Sequence, residues 1–312
     1  MGLVAEEAVV DVWPLKMPLN LFKRIIYFFS TGLHTMVNIS VFMNYICIIG
    51  GSEKKSMHLI LTHLVFTNTI LLLSKGIPRT IATFGLRNFL DSTGCKIIMY
   101  LERVARGLSI CTSSLLTVVQ AITISPRHYG WRKLNPKSVW HIFSLLLLFW
   151  ILNSLISMNL FYIITDVKLN SSKAGKSDNY CRFLPRSQKI NSIFLTLFTL
   201  RDAICQGVMG GSSVYMMCLL HRYHQRVFHL QLSKFLYQMP PELKAAQSVL
   251  LLMFSFLFFY WTDCLLSLYL IFTFKNDSIT TSLQEFLVLG YAMLSPFVLI
   301  HRDRHLTKCW NA

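Results

Sequence analysis

Apolar runs long enough to cross a bilayer recur along this chain, and the polar residues gather between them. Residues 25–52 and 139–165 contain no Asp, Glu, Lys or Arg, and 245–274 contain only Asp263. Each run exceeds the roughly 20 residues that a helix needs to span a hydrocarbon core. Read along the whole chain, the pattern predicts helices over 25–50, 57–84, 95–124, 138–165, 188–222, 244–274 and 280–300. The expected fold is therefore an all-α membrane protein, a seven-transmembrane helix bundle. Residues 1–24 would form an extracellular N-terminus, 25–300 the seven-helix domain and 301–312 a short cytoplasmic tail. The spans show no internal repeat, which weighs against an inverted-repeat transporter.

The third span carries the most telling polar pattern. At 100° per residue, Cys95, Glu102, Arg106, Ser109, Ser113, Thr117 and Gln120 fall within an arc of about 80°. A stripe this narrow on an otherwise apolar helix should face the bundle interior, because charges facing lipid cost several kcal/mol each. Glu102 and Arg106 are four residues apart and can pair on one helix face, with Arg103 about 60° to one side. Arg201 and Asp202 in the fifth span, Asp263 in the sixth and Glu285 in the seventh are the other charges counted within the spans. All lie nearer the Cys95 end or the middle than the opposite end. Arg106 should sit about 16 Å below Cys95 at 1.5 Å per residue.

Two readings of this cluster stand side by side. The charges can pair among themselves and only fix helix packing. Alternatively they line an outward-opening small-molecule site, in which Arg103 or Arg106 meets an anionic ligand group through bidentate hydrogen bonds. On that second reading the site takes in Glu102, Ser109, Ser113, Arg201, Asp202, Tyr260, Asp263 and Glu285. Tyr100, Tyr260 and Trp261 supply its apolar walls.

Composition fits the membrane reading: 54% of residues are hydrophobic and only 14% charged. The net charge of +16 would point to nucleic acid in a soluble protein, but these bases sit in the loops, where they meet lipid headgroups, and no nucleic-acid partner is expected. Bases are nearly balanced between the two sides, so they do not decide the orientation. The sequons at Asn170 and Asn276 do, because both are luminal only if the N-terminus is outside. Of eight cysteines, only Cys95 and Cys181 fall on that outer side, so a disulfide between them is expected to pin the fourth connecting segment over the bundle mouth. Residues 1–24 do not read as a secretory signal, which leaves the first span as the signal anchor.

The cytosolic side has its own chemistry. Arg127, His128, Arg132, Lys133 and Lys137 crowd the loop after the third span, and 221–226 continue the fifth. These bases can meet a partner protein or anionic lipid. His221 and His224 have no third ligand beside them, so no metal is expected. No Gly-x-Ser-x-Gly, His-Glu-x-x-His or P-loop motif is present, so neither enzymatic activity nor a cofactor is expected.

Over roughly residues 31–303 the chain resembles the vomeronasal type-1 receptors, pheromone-sensing seven-helix receptors coupled to G proteins. The resemblance is carried by Leu73 to Thr80 with Phe84 to Leu86, by Ser92 to Lys96, by Arg103 to Gly107 with Ser109, and by Gln120 to Pro126. It continues in Trp150 to Asn153, His224 to Val227 and Ser295 to Ile300. It implies detection of pheromone-like small molecules, acidic or steroid-like, at the plasma membrane of sensory neurons in the vomeronasal organ. It also implies signalling through a heterotrimeric G protein of the Gi/Go class, with Gln120, Ser125, Pro126, Arg127, Arg222 and Arg226 facing that partner.

The chain departs from this family at several points. Where the family has Thr-Gly-x-Gly-x-x-Gly-Asn, residues Thr31 to Asn38 lack two of the glycines. Gly211 replaces a usual Trp, Gly290, Tyr291 and Ala292 replace Cys-Phe-Pro, and Ser177 to Tyr180 replace the aromatic and Gly residues usual before Cys181. These departures bear on ligand identity and signalling rather than on the fold. Two alternatives are kept. A bitter-taste-type receptor would lack the Ser-Pro-Phe-Val-Leu-Ile ending. A transporter or channel would spread its charges through the membrane depth, whereas the inner half here has none.

Overall fold

The structure is a computed structural model and describes residues 13–49, 55–84, 90–126, 139–158, 188–230, 241–273 and 278–302. It is a bundle of long helices: α1 (Trp13–Ile49), α2 (Lys55–Leu71), α3 (Ile77–Thr83), α4 (Ser92–Ile124), α5 (Val139–Ser157), α6 (Gln188–Leu230), α7 (Pro241–Thr273) and α8 (Ser278–Arg302). A π-helical turn, Leu72–Gly76, joins α2 to α3, so these three form one rod and the bundle has seven. Among the described residues, six rods are long and apolar enough to cross a membrane, and α8 contributes the shorter apolar stretch Phe286–His301. The seven-helix membrane bundle expected from hydropathy is thus the fold.

The helix limits differ from the hydropathy reading where something other than apolarity sets them. The first rod begins at Trp13 although its membrane-crossing stretch begins at Arg24, because polar residues such as Asn20 and Lys23 sit in the helix without belonging to the apolar run. The third rod begins at Ser92 because Asp91 caps it, its side chain accepting from the Gly94 N–H at 2.9 Å. The fifth runs on to Leu230. The fourth helix ends at Ser157, with Met158 in a turn, and 159–165 lie outside the described residues.

The π turn has a local cause. Pro78 has no N–H to give the Ser74 carbonyl, and the ring cannot follow a regular α turn without a clash, so the ladder widens just before it. Thr80 Oγ1 donates to the Gly76 carbonyl at 2.8 Å and Thr83 Oγ1 to the Thr80 carbonyl at 2.6 Å, which ties the rod's last turns together. Arg24 of α1 closes the end by donating to the Thr83 carbonyl at 2.8 Å.

The third rod is the hub. α4 packs against α2, α5, α6 and α7, whereas α1 packs against α2, α3 and α8. In its apolar window 72% of residues are buried, against 17% for α5. On α5 only a seam of Ile142, Leu146, Asn153 and Ser157 is buried, and Trp140, Phe143, Leu147 and Leu155 are exposed. Such a broad exposed apolar face is a lipid-facing surface. The narrow polar stripe of α4 does face inward, with Ser109, Ser113, Thr117 and Gln120 all buried.

A chain of hydrogen bonds crosses the bundle between α1, α2, α4 and α8. Ser109 Oγ donates to Asn68 Oδ1 at 2.8 Å, and Asn68 Nδ2 donates to Ser295 Oγ at 2.8 Å. Pro296 lies inside α8 and leaves the Ala292 carbonyl without its helical donor. Asn38 Nδ2 takes over that role at 3.1 Å and also reaches the His34 carbonyl at 2.8 Å. Asn38, the last residue of the Thr31 to Asn38 motif, therefore completes the α8 ladder.

Candidate functional site

Among the described residues, six of the intramembrane charges form three ion pairs, and the sequence spacing foresaw only part of this. Lys75, placed by the π turn, pairs with Glu102 at 2.7 Å. Arg106 Nη2 pairs with Asp263 Oδ2 at 3.0 Å, joining α4 to α7. Arg201 pairs with its neighbour Asp202 at 2.6 Å. The Glu102–Arg106 pairing within one helix face is thus replaced by two pairs between helices. The interior offers Glu102 and Arg106 each a partner in another rod, while the i,i+4 spacing offers only a neighbour on the same helix. The charges counted from sequence also omitted Lys75 and Arg79, which lie in the second rod's apolar window at the same end of the bundle.

A cavity of about 40 Å³ opens between α4, α7 and α8. Arg106, Ser109, Tyr260 and Asp263 of the expected site line it. Its apolar wall is Leu71, Ile110, Phe256, Phe259, Leu287 and Val288, with Tyr291 below. Trp261, expected as a wall, is 59% exposed and points away from the interior. Sequence reading missed Phe256 and Phe259, because an aromatic in a long apolar run carries no sign of which face it takes.

The polar groups continue sideways from this cavity. The Arg106 guanidinium lies 5.7 Å from the Tyr260 ring centre, and Tyr260 donates its hydroxyl to Asp202 Oδ2 at 3.3 Å. Arg201 Nη1 donates to Asn153 Oδ1 at 2.7 Å, which explains the Asn of the Trp150 to Asn153 motif. Trp150 has its own role, donating from Nε1 to His63 Nε2 at 2.9 Å. Arg103 and Arg201 both stack on Phe198, each 5.2 Å from its centre. Arg103, Arg106, Arg201, Asp202, Tyr260 and Asp263 therefore form one cluster. Glu102 turns away toward Lys75, and Ser113 is held by the Tyr291 hydroxyl at 2.8 Å. Glu285 lies in α8, with its side chain outside what is described.

Two family departures are absorbed here. Phe259 packs so closely on Gly290 that a Cβ there would come within 2.3 Å of its ring. Tyr291 supplies the hydroxyl for Ser113. At the other end of α4, Gln120 and Ser125 are buried, so neither offers its side chain to a partner in this arrangement. Ser125 Oγ instead bonds the Tyr215 hydroxyl of α6 at 2.8 Å. Pro126 is half-buried and Arg222 exposed, while Arg127 and the Arg226 side chain lie outside the described residues. Cys95 is buried and disulfide-bonded; Cys181, its expected partner, and the sequon residues Asn170 and Asn276 lie outside the described residues.

Sequence comparison decides the family. The vomeronasal organ pheromone receptor family matches residues 22–312. This chain belongs to that family, the vomeronasal type-1 receptors. It is similar to vomeronasal type-1 receptor 4 of Homo sapiens, 34% identical over 277 residues that cover 88% of this chain and 92% of the relative. Vomeronasal type-1 receptor 3 of Homo sapiens is 34% identical over 275 residues, 86% of each chain. Vomeronasal type-1 receptor 46 of Mus musculus is 32% identical over 286 residues, 91% of this chain and 92% of the relative. As a member of this family, the chain is a multi-pass membrane protein and a chemosensory G-protein-coupled receptor, and it is not an enzyme.

Proposed function

We propose that this vomeronasal-type receptor detects a pheromone-like small molecule in the cavity beside Arg106 and Asp263 and signals through a Gi/Go-class heterotrimeric G protein from the plasma membrane of vomeronasal sensory neurons. The observation that carries the site is the Arg106–Asp263 pair, which joins α4 to α7 across a cavity with apolar walls. With the N-terminus outside, as the two sequons support, this cavity opens outward and the Ser125–Tyr215 contact lies at the cytosolic end. A Cys95–Cys181 disulfide would hold the fourth connecting segment over the mouth.

A ligand that prefers a different spacing of α4 and α7 shifts the population of bundle states through its difference in affinity for them. The cytosolic readout is separation of α6 from α4, which breaks the Ser125–Tyr215 hydrogen bond and opens a groove flanked by Pro126, Arg127, Arg222 and Arg226. Of the acidic and steroid-like ligands implied by family resemblance, an acid has to compete with Asp263 for Arg106. A steroid needs far more than 40 Å³, since pockets for such ligands measure about 300–1,000 Å³. Either requires α4 and α7 to part.

The test is Gi/Go activation in cells displaying the full chain, challenged with sulfated steroids, carboxylic acids and neutral volatiles. Arg106→Ala is expected to lower agonist potency at least tenfold at equal surface level. Unchanged potency would remove Arg106 from the site.

A further inference from the structure

We propose that the Arg106–Asp263 cavity takes an uncharged hydroxyl-bearing molecule, whose hydroxyl donates to Asp263 Oδ1, in preference to an anion. This rests on the receptor reading above and names the ligand class for the same site. Asp263 is only 6% exposed and lines the cavity. Its Oδ2 accepts from Arg106, but its Oδ1 is buried with no hydrogen-bond partner among the described residues. A buried carboxylate oxygen without a donor is rare, because desolvating it is costly, and it marks a place where a donor from outside the chain belongs.

Charge decides which donor. Of the charged groups in the cluster, only Arg106 and Asp263 line the cavity, and they pair with each other, so its lining carries no net charge. An anion entering here would face Asp263 while Arg106 is already engaged. An ammonium would face Arg106. A hydroxyl adds no charge: it donates to Asp263 Oδ1, and its oxygen can accept from one of the five guanidinium N–H groups of Arg106. The remaining wall of Leu71, Ile110, Phe256, Phe259, Leu287 and Val288 offers an apolar surface to a compact hydrocarbon body, which at about 40 Å³ enters only as α4 and α7 part.

The experiment reads occupancy without needing agonism. Val288→Cys is introduced into the full chain in lipid nanodiscs, and its modification by methyl methanethiosulfonate is timed against the parent chain. The probes are cyclohexanol, methoxycyclohexane, cyclohexanecarboxylate and cyclohexylammonium, which share a ring and differ in the group offered to Asp263. Cyclohexanol is expected to slow modification severalfold at a concentration where the other three do not. In Asp263→Leu the order should invert: Arg106 is released, so the carboxylate protects and the alcohol no longer does. If that variant does not fold, the four-probe comparison on the Val288→Cys chain still decides. Equal protection by the ether, stronger protection by either ion, or protection by none of the four overturns the inference. If the alcohol fails while the chain still drives nucleotide exchange on a G protein, the ligand class is wrong and the receptor reading stands. If the alcohol protects a chain that never drives exchange, the receptor reading is the one that falls.

Discussion

Gly107 shows how closely single residues are constrained around the cluster. A Cβ at this position would lie 1.9 Å from Asn153 Oδ1 and 2.4 Å from Arg201 Nη1, so the Asn153–Arg201 bond passes directly over its bare backbone. Gly107→Ala should destabilise the bundle by about 1–3 kcal/mol, the usual cost of overpacking. Thermal unfolding in nanodiscs checks this, and an unchanged midpoint would mean that the three rods adjust freely. Lys75 and Glu102 set a second test at the same scale. Both are largely buried, and a buried charge stripped of its partner costs roughly 3–5 kcal/mol, whereas an apolar pair of similar size is often tolerated. Lys75→Met alone is therefore expected to reduce surface level and stability sharply, and adding Glu102→Leu to restore much of both. Equal losses in the single and double variants would show that the pair is not coupled.

At the scale of the helix, the important events are the places where a ladder is broken and mended. The Ala292 carbonyl freed by Pro296 is satisfied by Asn38 from another rod. Asn38→Ala should cost about 1–3 kcal/mol by leaving that carbonyl only the long contact from Ser295 Oγ at 3.5 Å. Pro296→Ala should suppress much of this loss, because residue 296 then has an N–H to return to the carbonyl. Thermal unfolding of the four chains in this cycle measures the coupling, and simple additivity would contradict this role for Asn38. The same scale shows what was legible in advance. The inward stripe on α4 could be read from its 100° periodicity, because periodicity reports which face of one helix is polar. The pairing of Arg106 with Asp263 and of Lys75 with Glu102 could not, because it depends on how rods are rotated against each other. For Lys75 it also depends on a π turn that only Pro78 hints at. Asn38 closes a family motif and Asn68 sits in an apolar run, and the roles of both emerge only when α1, α2 and α8 meet.

For the whole molecule, hydropathy was sufficient to give seven rods, since lipid exposure demands long uncharged helices. It could not say that α4 would be the hub, nor that the cavity would be as small as about 40 Å³. Those properties follow from α4 packing on four rods and from Phe259 filling the space that Gly290 leaves. The Ser125–Tyr215 bond holds α4 and α6 together at the cytosolic end, so loosening it should favour the G-protein-competent state even without ligand. One hydrogen bond is worth about 1 kcal/mol, which corresponds to roughly a fivefold shift in population. The most direct measurement is ligand-free nucleotide exchange on a Gi/Go-class heterotrimer by the full chain in nanodiscs, with Tyr215→Phe beside the unmodified receptor. Exchange above that of empty nanodiscs is expected, with an increase of about fivefold in Tyr215→Phe. Exchange no faster than empty nanodiscs for both chains would contradict the proposed coupling.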